Sequence, residues 1–111
     1  MKRHALTATL KDDEEARTAY LVAHRNVWPD VVEAGRRCGV NSTSIYRQGN
    51  SLFMFLIAAD EFSWEAYADA LSASDVVRQW QAMVDQHLLP AGDGEIPGLK
   101  WRPADEVCHV E

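Results

Sequence analysis

The sequence predicts an α+β fold whose elements follow the order β-α-β-β-α-β. Two runs rich in β-forming residues, 42–47 and 51–58, are separated by a short turn, which is typical of an antiparallel hairpin. Helical patterns flank this hairpin on both sides, and a further strand-like run lies near each end of the chain. This order is the ferredoxin-like arrangement, an antiparallel four-stranded sheet with its helices on one face.

The first half of the chain predicts one strand and an interrupted helix. The strand covers His4 to Leu10, where residues alternate between two faces. Four acidic residues then favour a helix start, because the helix dipole stabilises negative charge there. We expect a break near 25–28, since Pro29 lacks a backbone donor and clashes with the preceding turn. Pro29 begins a second helical segment, and Gly39 ends it.

The second half predicts two more helical pieces and a final strand. Ser63 and Ser74 are both suited to cap a helix, and an apolar stripe that includes Trp80 follows the second serine. The segment 89–98 contains two prolines and three glycines and predicts a loop, either a flexible lid over a site or a tail. We expect the last strand over 106–110.

Length and composition indicate one globular domain over residues 1–111. Hydrophobic residues make up 47% of the chain and charged residues 25%, an ordinary globular balance. The net charge is −6 and no basic run occurs, so nucleic acid and anionic membranes are poor partners. A small uncharged ligand fits this balance better. One sheet face of this fold lacks helices, and a second copy of the chain is the expected cover, which predicts a homodimer.

Targeting and cysteine patterns predict a cytoplasmic protein. The apolar stretch after the charged residues 1–4 is too short for a signal peptide, and no run approaches the roughly 20 apolar residues of a membrane span. Cys38 and Cys108 have no CxxC partner and are expected to be free thiols in a reducing compartment. No spaced ligand pair indicates a metal site, so neither a metal nor a cofactor is predicted.

The best candidate for chemistry is His24, which follows Tyr20 at helical spacing. Residues four apart on a helix share one face. Histidine ionises near neutral pH, which suits acid/base work. Each candidate also has a structural interpretation: His24 as a hydrogen-bonded residue at the core edge, Tyr46 as a half-buried strand residue, and Trp80 as part of an apolar helix stripe. The residues alone leave these alternatives open.

Four sequence blocks, taken together, resemble a known family. They are Tyr-x-x-x-His-x-x-x-Trp-Pro at 20–29, Ile-Tyr at 45–46, Asp-Val-x-x-x-Trp at 75–80 and Glu-Val-x-His at 106–109. With these blocks in this order, nearly the whole chain resembles the L-rhamnose mutarotase family. Its members are small proteins that interconvert the anomers of a 6-deoxy sugar, and the first block is the most specific of the four.

The resemblance implies a dimeric α/β barrel of ferredoxin-like subunits, each with a monosaccharide pocket between sheet and helices. It implies an isomerase of the aldose 1-epimerase type that works without a cofactor. The acid/base role carries over onto His24, and substrate contacts carry over onto Tyr20, Tyr46 and Trp80. Gln81 stands where the family often has a second tryptophan, and we place it among the substrate contacts.

Other functions stay open at this point. The loop over 89–98 also departs from the family pattern, so the sugar is either L-rhamnose or L-fucose. Dimeric ferredoxin-like chains include cofactor-independent monooxygenases and haem-handling proteins, because a fold does not determine a function. A third alternative is a non-catalytic module that binds a sugar.

Overall fold

An antiparallel four-stranded sheet forms the centre of the fold. The computed structural model describes residues 1–111. Its strands are β1 (Lys2–Thr9), β2 (Val40–Gln48), β3 (Ser51–Ala58) and β4 (Arg102–Ala104). They lie in the order β2-β3-β1-β4, and each neighbouring pair is antiparallel. This topology confirms the predicted ferredoxin-like α+β fold.

The two helical regions are each divided into two short helices. They are α1 (Glu14–Ala23), α2 (Pro29–Arg37), α3 (Trp64–Ala70) and α4 (Asp75–Asp85). Pro29 is the first residue of α2, which confirms the predicted break. The side chains of Ser63 and Ser74 accept hydrogen bonds from the first turns of α3 and α4, as predicted. None of the four helices has the length and apolar character needed to cross a membrane.

The core lies between the helices and one face of the sheet. Five leucines are almost fully buried there, each less than 2% exposed: Leu6, Leu10, Leu52, Leu56 and Leu88. The helices contribute Tyr20, Val77, Trp80 and Val84 to the same cluster. Burial of apolar surface is the main favourable contribution to folding, so this face holds the helices against the sheet.

The opposite face of the sheet carries exposed aromatic side chains. Tyr46, Phe53 and Phe55 are 62%, 43% and 37% exposed. Tyr46 lies opposite Phe53 in the β2–β3 ladder, and Phe53 alternates with the buried Leu52 and Met54. No helix of this chain covers this second face, which we call the open face.

The predicted last strand over 106–110 is wrong. β4 comprises Arg102–Ala104 instead, because the buried Leu99 and Trp101 fix the chain just before it against the core. The β1–β4 ladder would continue at Arg3 and Glu106, where only the side chains meet, at 3.2 Å. Beyond this ion pair residues 107–111 form no strand.

We expect Leu56→Ala to lower the free energy of unfolding by about 2–5 kcal/mol, since Leu56 is 0% exposed and its loss leaves a cavity. Urea denaturation of the variant and the wild-type protein measures the change. Val107→Ala is the control, because Val107 is 95% exposed. A loss below about 1 kcal/mol for Leu56→Ala would contradict the packing described here.

Candidate active site

A cavity of 480 Å³ lies between α1, α2, α4 and the β2–β3 part of the sheet. Small-molecule sites typically occupy about 300–1,000 Å³ and combine an apolar wall with a few polar groups. Thirteen of the twenty lining residues are hydrophobic. The polar side chains on the wall include His24, Gln81 and Thr43. The cavity thus has the size and the mixed lining of a site for a small polar ligand.

Tyr20 and His24 meet on the cavity wall because α1 ends between them. Ala23 is the last residue of α1 and His24 caps it, still in a helical conformation. The rings of Tyr20 and His24 stack with centroids 4.2 Å apart. Tyr20 is 2% exposed, whereas His24 is only partly buried and keeps access to the cavity.

The backbone of α1 determines which nitrogen of His24 is free. The Nδ1 atom lies 2.8 Å from the carbonyl oxygen of Tyr20. A carbonyl oxygen only accepts hydrogen bonds, so Nδ1 carries the proton and donates it. The Nε2 atom then holds a lone pair, and it forms no hydrogen bond within the chain. The neutral imidazole of His24, with a lone pair on Nε2, therefore lies on the cavity wall.

Burial keeps this imidazole uncharged at neutral pH. It lowers the pKa of His24 below its ordinary value, and the hydrogen bond to the Tyr20 carbonyl opposes this shift only in part. Burial also raises the pKa of Tyr20, and it raises the pKa of Tyr67 to about 12. Both phenols line the cavity and stay protonated, so they remain hydrogen-bond donors.

Trp80 belongs to the core and also lies on the cavity wall. It is 4% exposed. Its ring meets the rings of His24 and Trp28 edge-on, each with centroids 5.3 Å away. Trp28 directly precedes Pro29, so the break between α1 and α2 brings these three rings together.

Gln81 follows Trp80 and lies on the same wall. Its Nε2 donates a hydrogen bond of 2.9 Å to Oδ1 of Asp85, one turn later on α4. Of the five site residues expected from the sequence, the structure brings four to the cavity: Tyr20, His24, Trp80 and Gln81.

The structure does not bring Tyr46 to this cavity. Tyr46 pairs with Phe53 on the open face, whereas Ile45 pairs with the core residue Met54 and lines the cavity. Thr43 lies on the cavity side for the same reason, because side chains of a strand alternate between faces. The alternation of side chains along β2 puts Tyr46 on the opposite face from Thr43 and Ile45. Only the register with β3 shows which of the two faces lies against the helices.

The segment 89–98, expected to be a lid or a tail, leads into the cavity wall. Its Ile96 is 3% exposed, and its backbone N–H donates to the carbonyl oxygen of Trp101. Leu99 and Trp101, which follow it, are buried and line the cavity. Sequence reasoning missed both residues, because an apolar residue in a proline- and glycine-rich stretch carries no periodic signal. No group of three His, Cys, Asp or Glu side chains is arranged to hold a metal ion.

Comparison of sequences gives matches over nearly the whole chain. The profile of a family described as L-rhamnose mutarotase matches residues 3–110. An L-fucose mutarotase from Xanthomonas campestris is 30% identical over 111 residues, which cover 96% of this chain and 86% of that protein. A UPF0734 protein from Dictyostelium discoideum is 25% identical over 114 residues, covering 99% of this chain and 90% of that protein.

Comparison of structures shows the same fold in two solved proteins. The crystal structure of an L-rhamnose mutarotase from Formosa agariphila superposes with a TM-score of 0.71 at 21% identity, and both chains are fully covered. Tetracenomycin F2 cyclase from Streptomyces glaucescens, a type-II polyketide cyclase, superposes with a TM-score of 0.66 at 15% identity, again over both full chains. At these identities the two likenesses concern the fold alone.

We expect His24 to titrate below pH 6.5, its ordinary value, because burial disfavours the charged ring. At pH 7 its Nδ1 should be protonated and its Nε2 bare. Nitrogen-15 NMR across a pH series measures both properties, and a His24→Asn variant assigns the signals. A midpoint above 6.5, or a proton on Nε2 at pH 7, would contradict this geometry.

Proposed function

The chain belongs to the L-rhamnose mutarotase family, and from that premise we propose that it interconverts the α and β anomers of a 6-deoxy aldose, L-rhamnose or L-fucose. One observation carries the proposal: the neutral ring of His24 lies on the wall of a ligand-sized cavity with its Nε2 lone pair free. Anomer exchange moves one proton between two oxygens of the sugar, and a base of this kind suits that step.

The proposed reaction needs only the proton shuttle of His24. Its Nε2 accepts the proton of the anomeric hydroxyl while the bond between C1 and the ring oxygen breaks, and the imidazolium returns that proton to the ring oxygen. Both oxygens are bonded to C1, so one nitrogen can reach them in turn. The open-chain aldehyde then closes on its other face by the reverse transfers. Positioned proton transfer typically contributes roughly 10²–10⁴-fold in rate.

The substrate contacts proposed here follow from the lining of the cavity. Tyr20 is a phenol kept protonated by burial and suits donation to a sugar oxygen. Trp80 offers an aromatic surface to the apolar side of a pyranose, and apolar neighbours such as Leu99 suit the methyl group of a 6-deoxy sugar. Gln81 contributes an amide to the same wall. Tyr46 is excluded from these contacts within one subunit by its place on the open face.

We expect the protein to accelerate anomer exchange of L-rhamnose or L-fucose, and His24→Ala to lower that acceleration about 10²–10⁴-fold through loss of the base. Saturation-transfer NMR of the anomeric protons measures the exchange. The matched control is His109→Ala, because His109 is exposed on the tail after β4.

The other candidate functions predict different results in this experiment. A sugar-binding module predicts saturable binding with exchange at the buffer rate. A monooxygenase or a haem-handling protein predicts no effect on either sugar. An exchange rate equal to that in buffer for both sugars would refute the proposed activity.

We further propose that two copies pair through their open faces. Tyr46, Phe53 and Phe55 form an exposed aromatic patch there, and patches of this kind mark association surfaces in small proteins. A second copy presents the same patch, so each copy buries its patch against that of the other, and the two-fold interface is self-complementary. The free thiols Cys38 and Cys108 suit the reducing cytoplasm, where we place this dimer.

We expect Phe53→Lys to convert a dimer into a monomer, because it places a charge in the centre of the proposed interface. Sedimentation velocity measures the mass. Val76→Lys is the matched control, since Val76 is comparably exposed (41%) but lies on α4, away from the open face. A wild-type monomer, or a dimer that survives Phe53→Lys, would exclude this interface.

A further inference from the structure

We propose that Asp85 is a positioning residue that orients the Gln81 amide, so that Gln81 Oε1 accepts a hydrogen bond from a substrate hydroxyl and sets the sugar preference. The inference rests on the proposed function, since it takes a monosaccharide to be the ligand of the cavity. It goes beyond that function by identifying the pair that distinguishes one sugar from another.

The hydrogen bond between the two side chains fixes the amide. Gln81 and Asp85 are four residues apart on α4 and therefore lie one turn apart on the same face. A carboxylate only accepts hydrogen bonds, so the group of Gln81 that lies 2.9 Å from Asp85 Oδ1 is its NH₂. The amide of a free glutamine can turn over and exchange the two groups. Here Asp85 prevents that, and Oε1 is left without a partner in the chain.

The surroundings of Gln81 make this free oxygen selective. Tyr20, Trp80 and Val84 line the same cavity as Gln81, and thirteen of the twenty lining residues are hydrophobic. A ligand that donates a hydroxyl to Oε1 satisfies it, whereas a ligand without a donor at that point displaces water and leaves it unpaired. An unpaired polar group is costly, so sites of this kind discriminate strongly by hydroxyl position.

The place of Asp85 on its helix is unfavourable for stability, which favours a role in the site. Asp85 is the last residue of α4, and the helix dipole disfavours a negative charge at that end. The positive charge of Lys100 offsets this unfavourable interaction, because its Nζ lies at the same helix end and donates to the backbone oxygens of Asp85 and Leu88 at 3.0 and 3.2 Å. Burial raises the pKa of Asp85, while Gln81 and Lys100 oppose the shift and Glu95 adds to it.

The two candidate sugars differ in a way that a fixed hydrogen-bond acceptor at Gln81 can distinguish. L-rhamnose and L-fucose share the methyl group at C5 and differ in the configuration of the hydroxyls at C2 and C4. An acceptor held at one point of the wall therefore meets a hydroxyl in one of them and not in the other. We assign recognition of the C2 or C4 hydroxyl to Gln81 Oε1.

Three variants test the pair: Gln81→Leu, Asp85→Ala and Asp85→Asn. The matched control is Gln79→Leu, because Gln79 lies exposed on the same helix. For each protein, the kcat and KM of anomer exchange are measured with both sugars, and calorimetry measures the binding of each sugar. Thermal unfolding by circular dichroism shows whether the variants are folded.

We expect Gln81→Leu to weaken binding of the preferred sugar about tenfold, the usual effect of one hydrogen bond, and to reduce the preference between the sugars. Asp85→Ala should raise KM and reduce the same preference while kcat changes less than twofold, because it frees the amide without touching the base. Asp85→Asn should restore the preference, since its amide oxygen can also accept from Gln81. A purely structural role predicts a lower melting temperature with the preference intact.

Each outcome separates this inference from the proposed function. Exchange by the wild type with an unchanged preference in Gln81→Leu and Asp85→Ala overturns the inference and leaves the function standing. Binding that depends on Gln81 without any exchange overturns the function and supports the inference. A wild-type protein that binds neither sugar overturns both.

Discussion

The candidate site depends on how α1 ends. The carbonyl oxygen of Tyr20 accepts two hydrogen bonds from His24, one from its backbone N–H at 3.3 Å and one from its ring at 2.8 Å. Pro29 prevents the helix from continuing, so the chain turns at once and places Trp28 against Trp80. The aromatic contacts that surround the imidazole follow from this one helix end, and a longer α1 would remove them.

The sheet separates two kinds of surface along one strand. β3 is apolar on both sides, and its alternate residues go to opposite faces: Leu52, Met54 and Leu56 are buried, whereas Phe53 and Phe55 are exposed. Met54 belongs both to the core and to the cavity wall. The strand that supports the candidate site thus also carries the aromatic surface proposed for pairing. Its even-numbered residues face the core and the cavity, and its odd-numbered residues face the open side.

Local patterns predicted most of the fold. The hairpin, the break before Pro29 and the capping serines each depend on neighbouring residues, and all three are confirmed. The same holds for the approach of Tyr20 to His24, which follows from a four-residue spacing. Within the site, helical periodicity placed Trp80 in the apolar stripe of α4, whereas Gln81 was expected there only from the family resemblance, and both residues line the cavity.

The failures concern contacts between distant parts of the chain. Whether Tyr46 or Ile45 faces the helices depends on the register with β3, which the β2 sequence does not contain. The last strand begins earlier than expected because Trp101 is fixed in a core formed mainly by earlier residues. The bond between Gln81 and Asp85 joins positions whose spacing is visible in the sequence, but nothing there shows that the pair faces a cavity.

The cavity wall contains residues that lie far apart along the chain. Leu99 and Trp101 complete a cavity wall on which His24 lies more than seventy positions earlier, and β4 pairs with β1 across a still longer interval. A nascent chain that has emerged through α4 already contains His24, yet it lacks Leu99 and Trp101, which close the apolar wall beside it. During translation His24 is therefore present long before its cavity, which is complete only after Trp101 has emerged.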